Sequence, residues 1–415
     1  MAKPPPLQND CFALPPGVNW TPVDQALQML NERLSCVTDI QTRAVGHADG
    51  YILAAPVFAT SAHPPHTNSA VDGYGVTGPI SDGAHDIALL DARSAAGAPY
   101  SGQVPAGHAI RILTGAQLPD GIDTVVMQED VVIDGARVHL NGPLKRGANV
   151  RPAGEDVEFN AMVLDAGHRL SPPDIGLLAS VGVHQVDVYA PLRVAAMSTG
   201  AELREIGEGT SDAQIVDANR PMLIAQLRRW GYQVVDMGII SDDQAAVQAA
   251  LDHAATQADV ILTSGGASAG DEDHMAAVLN ARGAMDTWRV AIKPGRPLAM
   301  GTWDGVPVFG LPGNPVAAFV CTLIFARMAL AKMGGEHVGA PDFQLVPAAF
   351  EKRKKQGRRE YLRAKLIDGH AHVFPSEGSG RISGLSWADG LVELPDEALD
   401  ITHGALVKYI PFTAF

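Results

Sequence analysis

The chain has 415 residues, 46% hydrophobic and 19% charged, which excludes disorder as its main state and exceeds what one hydrophobic core usually serves. Acids outnumber bases 46 to 31 for a net charge of -15, which excludes non-specific nucleic-acid and anionic-membrane binding and leaves any anionic ligand in need of a local basic pocket. Three cysteines, Cys11, Cys36 and Cys321, are too few and too scattered for a disulfide framework or a zinc cluster.

In chain order, the first twenty residues carry Pro4, Pro5, Pro6, Pro15 and Pro16 and read as a flexible lead-in with no apolar signal segment, which predicts a cytoplasmic protein. Thr21-Pro22-Val23-Asp24 predicts a helix start, with threonine as N-cap and proline at N1, running to about Leu34. From about Gly73 to Arg151, short apolar runs between Gly, Pro and Asp turns predict a small β-rich domain. Ser171-Pro172-Pro173-Asp174 repeats the capping pattern and starts a second helix. Packing of the two flanking helices on each other would make the β-rich part an insertion.

Residues 191–335 alternate strand and helix. Strands are expected at 192–197, 233–240, 260–263, 290–292 and 306–311, and helices at 221–230, 244–255, 272–281 and 315–332. This predicts a parallel sheet covered on both faces. The run 316–331 is shorter than a membrane span and contains Arg327. Residues 341–415 return to short alternating runs, as in a small β-barrel or sheet.

The polar loops after the strands carry the chemistry: Ser198-Thr199-Gly200-Ala201-Glu202, Ser241-Asp242-Asp243, Thr263 to Asp273, Lys293-Pro294-Gly295-Arg296-Pro297 and Pro312-Gly313-Asn314-Pro315. In an open parallel sheet, ligands bind outside the carboxyl ends of the strands. Ser264 to Gly270 suits phosphate binding, although it matches neither a Walker A loop nor a dinucleotide fingerprint. Asn314 offers either a free helix start or plain capping. Glu202, Asp242 and Asp273 are expected to converge with Lys293 and Arg296, and carboxylates beside phosphate-binding bases suggest Mg²⁺. One of Asp242 and Asp243 is expected merely to cap the following helix. The basic run from Lys352 to Arg359 reads mostly as a solvated loop, with Arg358 singled out.

The chain resembles the molybdopterin molybdenumtransferases, the bacterial MoeA and gephyrin E-domain family. The resemblance rests on Asn68-Ser69-Ala70-Val71-Asp72-Gly73-Tyr74, Thr114-Gly115-Ala116-Gln117-Leu118-Pro119, Val125-Val126-Met127-Gln128-Glu129 and Gly154-Glu155-Asp156. It rests equally on Thr263-Ser264-Gly265-Gly266, Ala291-Ile292-Lys293-Pro294-Gly295 and Gly310-Leu311-Pro312-Gly313-Asn314-Pro315. The order holds from about Pro22 to the end.

That resemblance implies a multidomain α/β fold: a central MogA-like parallel α/β domain at 191–340, an inserted β-rich domain at 61–146, a discontinuous linker domain at 21–60 plus 147–190, and a C-terminal β-barrel-like domain at 341–415. It implies molybdenum insertion into adenylylated molybdopterin, with molybdate as substrate and AMP released. Asp72, Glu202, Asp242 and Asp273 resemble the catalytic acids, with Mg²⁺ on Asp242 and Asp273. Thr114, Ser264, Gly265, Gly266, Arg289, Lys293, Gly313 and Asn314 resemble the positions that bind pterin and phosphates. Arg296, Pro297, Arg358 and Ser379 look like the molybdate pocket, where guanidinium and hydroxyl donors suit a tetrahedral dianion. A homodimer with a site shared between subunits is implied, as is transient contact with apoenzymes that receive the cofactor. The chain departs from the family pattern at Ala201, where aspartate is common, and at Arg289, where lysine is common. An adenylyltransferase of the same pathway and a non-catalytic scaffold of the same fold are the competing readings.

Overall fold

A computed structural model describes residues 20–265, 274–282, 285–295 and 297–415, with backbone alone at 282, 285–289, 297 and 298. The lead-in up to position 19, Gly266, Asp273 and Arg296 lie outside the described residues. The chain divides into two compact units, 41–188 and 1–40 with 189–415.

Unit 41–188 holds a six-stranded sheet in the order Thr124–Met127, Gly73–Val76, His108–Ile112, Ile80–Ser94, Arg137–Leu144, Val131–Asp134. Its neighbours run antiparallel except Ile80–Ser94 against His108–Ile112. Val76, Ile80, Ala109, Val126, Val138 and Leu140 form one core beneath it. A second core, with Val45, Leu53, Leu170, Leu178 and Val188, gathers around the helix Pro172–Ser180. That helix starts as its sequence requires: the Ser171 N–H donates to Asp174 Oδ2 at 2.8 Å, completing a capping box.

In the other unit, a six-stranded sheet runs Gln233–Ile240, Arg193–Thr199, Val260–Ser264, Val306–Leu311, Pro297–Trp303, Met285–Arg289. The first four are parallel, and the last two pair antiparallel with their neighbours. The sheet is therefore mixed rather than wholly parallel. Alternate residues serve opposite faces: Val194, Ala196, Val260, Leu262, Phe309 and Leu311 join one core, while Ala195, Met197, Ile261 and Val308 join another. Burying each larger side chain contributes about 1.5–3 kcal/mol, so both faces must be covered by helices.

Two expectations need correction. The helix Val23–Arg33 sends Val23, Ala26 and Leu30 into the core around Leu330 and Met333. Pro22 takes its N-cap position, because the Thr21 backbone is engaged beside Val290, its carbonyl accepting from the Ala291 N–H at 2.8 Å. The segment 290–292 is no strand of the central sheet either. Ile292–Lys293 crosses to the C-terminal sheet and pairs parallel with Arg359–Ile367.

That C-terminal sheet continues through Gly390–Leu394, Leu406–Pro411 and Gln344–Pro347. The apolar segment Pro315–Met333, the one described helix apolar and long enough to cross a membrane, is mostly buried in the core and has a π-turn at Thr322–Ala326.

Candidate active site

The carboxyl ends of the four parallel strands share one edge, and the Gly265 and Gly313 loops leave from it. Gly265 has φ +89°, and a Cβ there would lie 2.6 Å from the Thr199 carbonyl oxygen, so only glycine fits without movement. Its N–H donates to Leu311 O at 3.2 Å, and its carbonyl accepts from Thr263 Oγ1 at 2.7 Å. The buried Asn219, which the sequence reading missed, ties the two loops: its Nδ2 donates to Ser264 Oγ at 2.8 Å and to Gly313 O at 2.6 Å. Asn219 opens the helix Asn219–Arg229, whose first N–H groups are capped by buried Asp217. Arg220 meets Asp217, Asp236 and Glu205 and anchors that helix start. An aspartate two residues before Asn-Arg-Pro is the capping signal that could have flagged Asn219.

Asn314 stands exposed at the N-cap of Pro315–Cys321 and makes no side-chain capping bond, so its amide remains available to a ligand. The expected division between the two aspartates is seen: Asp243 caps Gln244–Gln257, accepting from the Ala246 N–H at 2.9 Å, while Asp242 stays exposed. Glu202 is also exposed. Among the described residues no group of three or more His, Cys, Asp or Glu is placed to hold a metal, and Asp273, the third acid of the expected cluster, lies outside them.

Asp72 and Thr114 come together in unit 41–188. Asp72 Oδ1 accepts from the Thr114 N–H at 2.7 Å and its Oγ1 at 2.8 Å, and these bonds hold the Asp72 carboxyl below its ordinary range.

Met285–Arg289 ends on the same edge as the parallel strands, and the chain then carries Lys293 into the C-terminal sheet, in register with Glu360. There Lys293 and Arg358 line one cavity of about 500 Å³, with Lys352, Arg353 and Lys355. Five cations and one carboxylate, Glu360, line it, while Glu377 pairs with Lys293 and Lys352 and Asp400 with Arg353 from outside that lining. In a chain of charge -15, this is the local basic pocket an anion needs. Lys293 and Arg358, which the resemblance assigns to phosphate and to molybdate, line the same cavity. Ser379 is positioned by its carbonyl, which accepts from the Val316 N–H at 3.1 Å beside the Asn314 helix start. Buried Arg363 fixes that loop by donating to the carbonyls of Arg381 at 2.6 Å and Gly378 at 3.3 Å.

The basic run is a solvated loop only around Lys355, Gln356 and Gly357, which lie exposed between two strands. Lys352–Lys354 forms a strand paired with Leu399–Ile401. Lys354 is 2% exposed and donates to the carbonyls of Lys355 and Glu397 at 2.9 and 3.0 Å. Arg359 makes a bidentate pair with Asp24 at 2.7 and 2.8 Å. Only long-range strand pairing distinguishes these residues from a charge run.

Known proteins match the chain in three successive parts: the MoeA N-terminal region (domain I and II) over 21–182, a probable molybdopterin binding domain over 195–332, and the MoeA C-terminal region (domain IV) over 346–412. A molybdopterin molybdenumtransferase of Haemophilus influenzae is 34% identical over 94% of this chain and 98% of its own length. One of Nostoc sp. is 33% identical over 88% and 87%. The crystal structure of a molybdopterin biosynthesis MoeA protein from Pyrococcus horikoshii superposes with a TM-score of 0.82 at 26% identity, covering 95% of this chain and 100% of that one. Fold and matched parts define a multidomain α/β transferase of molybdenum cofactor biosynthesis. The chain belongs to the molybdopterin molybdenumtransferase family.

Proposed function

We propose that the protein inserts molybdenum from molybdate into adenylylated molybdopterin and releases AMP. The observation that carries this reading is the five-cation cavity shared by Lys293 and Arg358, in the unit whose sheet edge presents the Ser264–Gly265 and Gly313–Asn314 loops. Backbone N–H groups and the Asn314 helix start suit the pterin and phosphate end, with Thr114, Gly266 and Arg289 as further contacts. Arg358 and Ser379, with Arg296 and Pro297, grip molybdate. The chemistry is redox-neutral. One molybdate oxygen leaves as water with the two dithiol protons, and one water is consumed as the phosphoanhydride breaks to AMP and the pterin phosphate.

Mg²⁺ fits the donor set in kind: Asp242 offers an exposed carboxylate that capping does not use, and with Asp273 it would hold the ion against the phosphates. When bound, that ion supplies charge neutralisation at the anhydride. Glu202 and Asp72 complete the acids. A cytoplasmic homodimer sharing the site between subunits, and transient delivery to cofactor-receiving apoenzymes, belong to the same reading.

Incubating the purified chain with adenylylated molybdopterin tests it. AMP should appear together with a molybdenum-containing pterin, and only when molybdate is present. AMP formation without metal incorporation would count against the reading.

A further inference from the structure

Lys352 faces the same cavity as Lys293 and Arg358, and its side chain is only 13% exposed. Its Nζ lies 3.1 Å from Glu360 Oε2 and contacts Glu377 Oε1. Lys293 Nζ lies 2.5 Å from Glu377 Oε2 and 3.4 Å from Glu360 Oε2. Two ammonium groups are therefore bridged twice, once by each glutamate. Burial raises the Glu377 carboxyl, but the hydrogen bonds from both lysines outweigh it and hold that group below its ordinary range.

The two bridging carboxylates are unlike. Glu360 is nearly buried in the strand Arg359–Ile367 and is fixed by the sheet. Glu377 is 46% exposed and sits on the loop between His370–Val373 and Ser383–Trp387. A half-exposed carboxylate can rotate into water and be rehydrated at small cost, whereas Glu360 cannot. Glu377 lines a neighbouring, smaller cavity of about 190 Å³, and Lys293 and Lys352 line both that cavity and the larger one.

We propose that Lys352 is an oxyanion-binding residue beside Lys293 and Arg358, and that the Glu377 carboxylate occupies the anion's place between the two lysines until the oxyanion displaces it. The inference rests on reading the C-terminal cavity as the molybdate pocket. A carboxylate giving one oxygen to each ammonium presents the pattern that two oxygens of a tetrahedral dianion would present. Glu360 keeps the lysines in position during the exchange. The internal carboxylate also screens the pocket, because a monovalent anion gains too little from the lysines to replace it, while a dianion gains about twice as much.

Calorimetric titration of molybdate into the purified full chain tests the idea. Glu377→Gln removes the internal competitor and should tighten molybdate about three- to tenfold. Lys352→Met should weaken it about ten- to hundredfold, and Lys352→Arg should stay within a few-fold of the parent. Tighter binding is not an outcome of structural damage, so Glu377→Gln decides the matter even if Lys352→Met folds poorly. Arg358→Ala separates the two levels of the argument. If it weakens binding while Glu377→Gln and Lys352→Met leave affinity unchanged, this inference is overturned and the molybdate pocket stands. If all three leave affinity unchanged, the pocket falls with it.

Discussion

Asn219 Nδ2 reaches Ser264 Oγ at 2.8 Å and the Gly313 carbonyl at 2.6 Å, so one buried amide holds together two loops that are 49 residues apart in the chain, counting from Ser264 to Gly313. Position 219 is fixed in turn by the Asp217 cap and by Arg220, which meets three carboxylates. The ligand-facing edge of the sheet thus depends on a helix start that itself bears no catalytic group.

Replacing Asn219 by alanine should therefore cost stability and loop order together. Two hydrogen bonds are lost and the Ser264 hydroxyl and Gly313 carbonyl are left short of a partner, a loss of about 1–3 kcal/mol. Chemical denaturation should read that loss, and the KM for the pterin substrate should rise while the molybdate requirement changes little. Unchanged KM with reduced stability would assign Asn219 a purely structural role.

Gly265 and Gly313 offer a matched comparison. At Gly265, a methyl group meets the Thr199 carbonyl at a positive φ, so Gly265→Ala should lose about 1–3 kcal/mol. At Gly313 no atom stands within 4 Å of an added Cβ, so Gly313→Ala should stay within about 0.5 kcal/mol of the parent. If Gly313→Ala nonetheless loses substrate affinity, the methyl group is meeting the ligand rather than the protein. Equal thermal losses in both variants would contradict this assignment.

The Asp24–Arg359 pair predicts a pH dependence. The Arg359 hydrogen bond, against a smaller desolvation effect, holds the Asp24 carboxyl below 3.8. A depressed folded-state value stabilises above the ordinary carboxylate pKa and is lost as pH falls through the lowered one. Asp24 is 74% exposed, so Asp24→Asn should cost no more than about 1 kcal/mol near neutrality. Urea midpoints measured from pH 7 downwards should begin to converge for parent and variant as the pH falls through about 3.8 and should meet below the lowered folded-state value. A difference that stays constant would show that packing, not charge, explains the loss.

Subunit sharing makes a separate prediction. Asp72→Ala and Asp242→Ala subunits should each be inactive as homodimers, and co-refolded mixtures should regain part of the activity through heterodimers that retain one intact site. Mixtures as inactive as their parents would mean that each site is built within a single subunit.

Much of this fold is legible in the chain. The Ser171–Asp174 capping box and the strands Gln233–Ile240 and Val306–Leu311 follow from local patterns that tertiary contacts reinforce. The hairpin before Val306 was legible but unread: Trp303 pairs with Val306 across Asp304-Gly305, both at positive φ, the favoured two-residue turn. Ile292–Lys293 was misassigned because a short apolar run does not say which sheet it joins. Ser264, Gly265, Gly313 and Asn314 stand out as candidates because glycine and N-cap chemistry is local. Lys352 and Glu377 do not stand out, because the setting of Lys352 depends on Glu360 and on a carboxylate 25 residues further along.

The most direct test of the central claim, that the cationic cavity beside the C-terminal sheet binds molybdate, is the molybdate dependence of molybdenum insertion in Arg358→Ala. Removing a charge-assisted contact should raise the half-saturating molybdate concentration about ten- to hundredfold, with much of the rate restored at high molybdate and the adenylylated pterin affinity little changed. A half-saturating concentration equal to the parent's would contradict the account and place the oxyanion elsewhere.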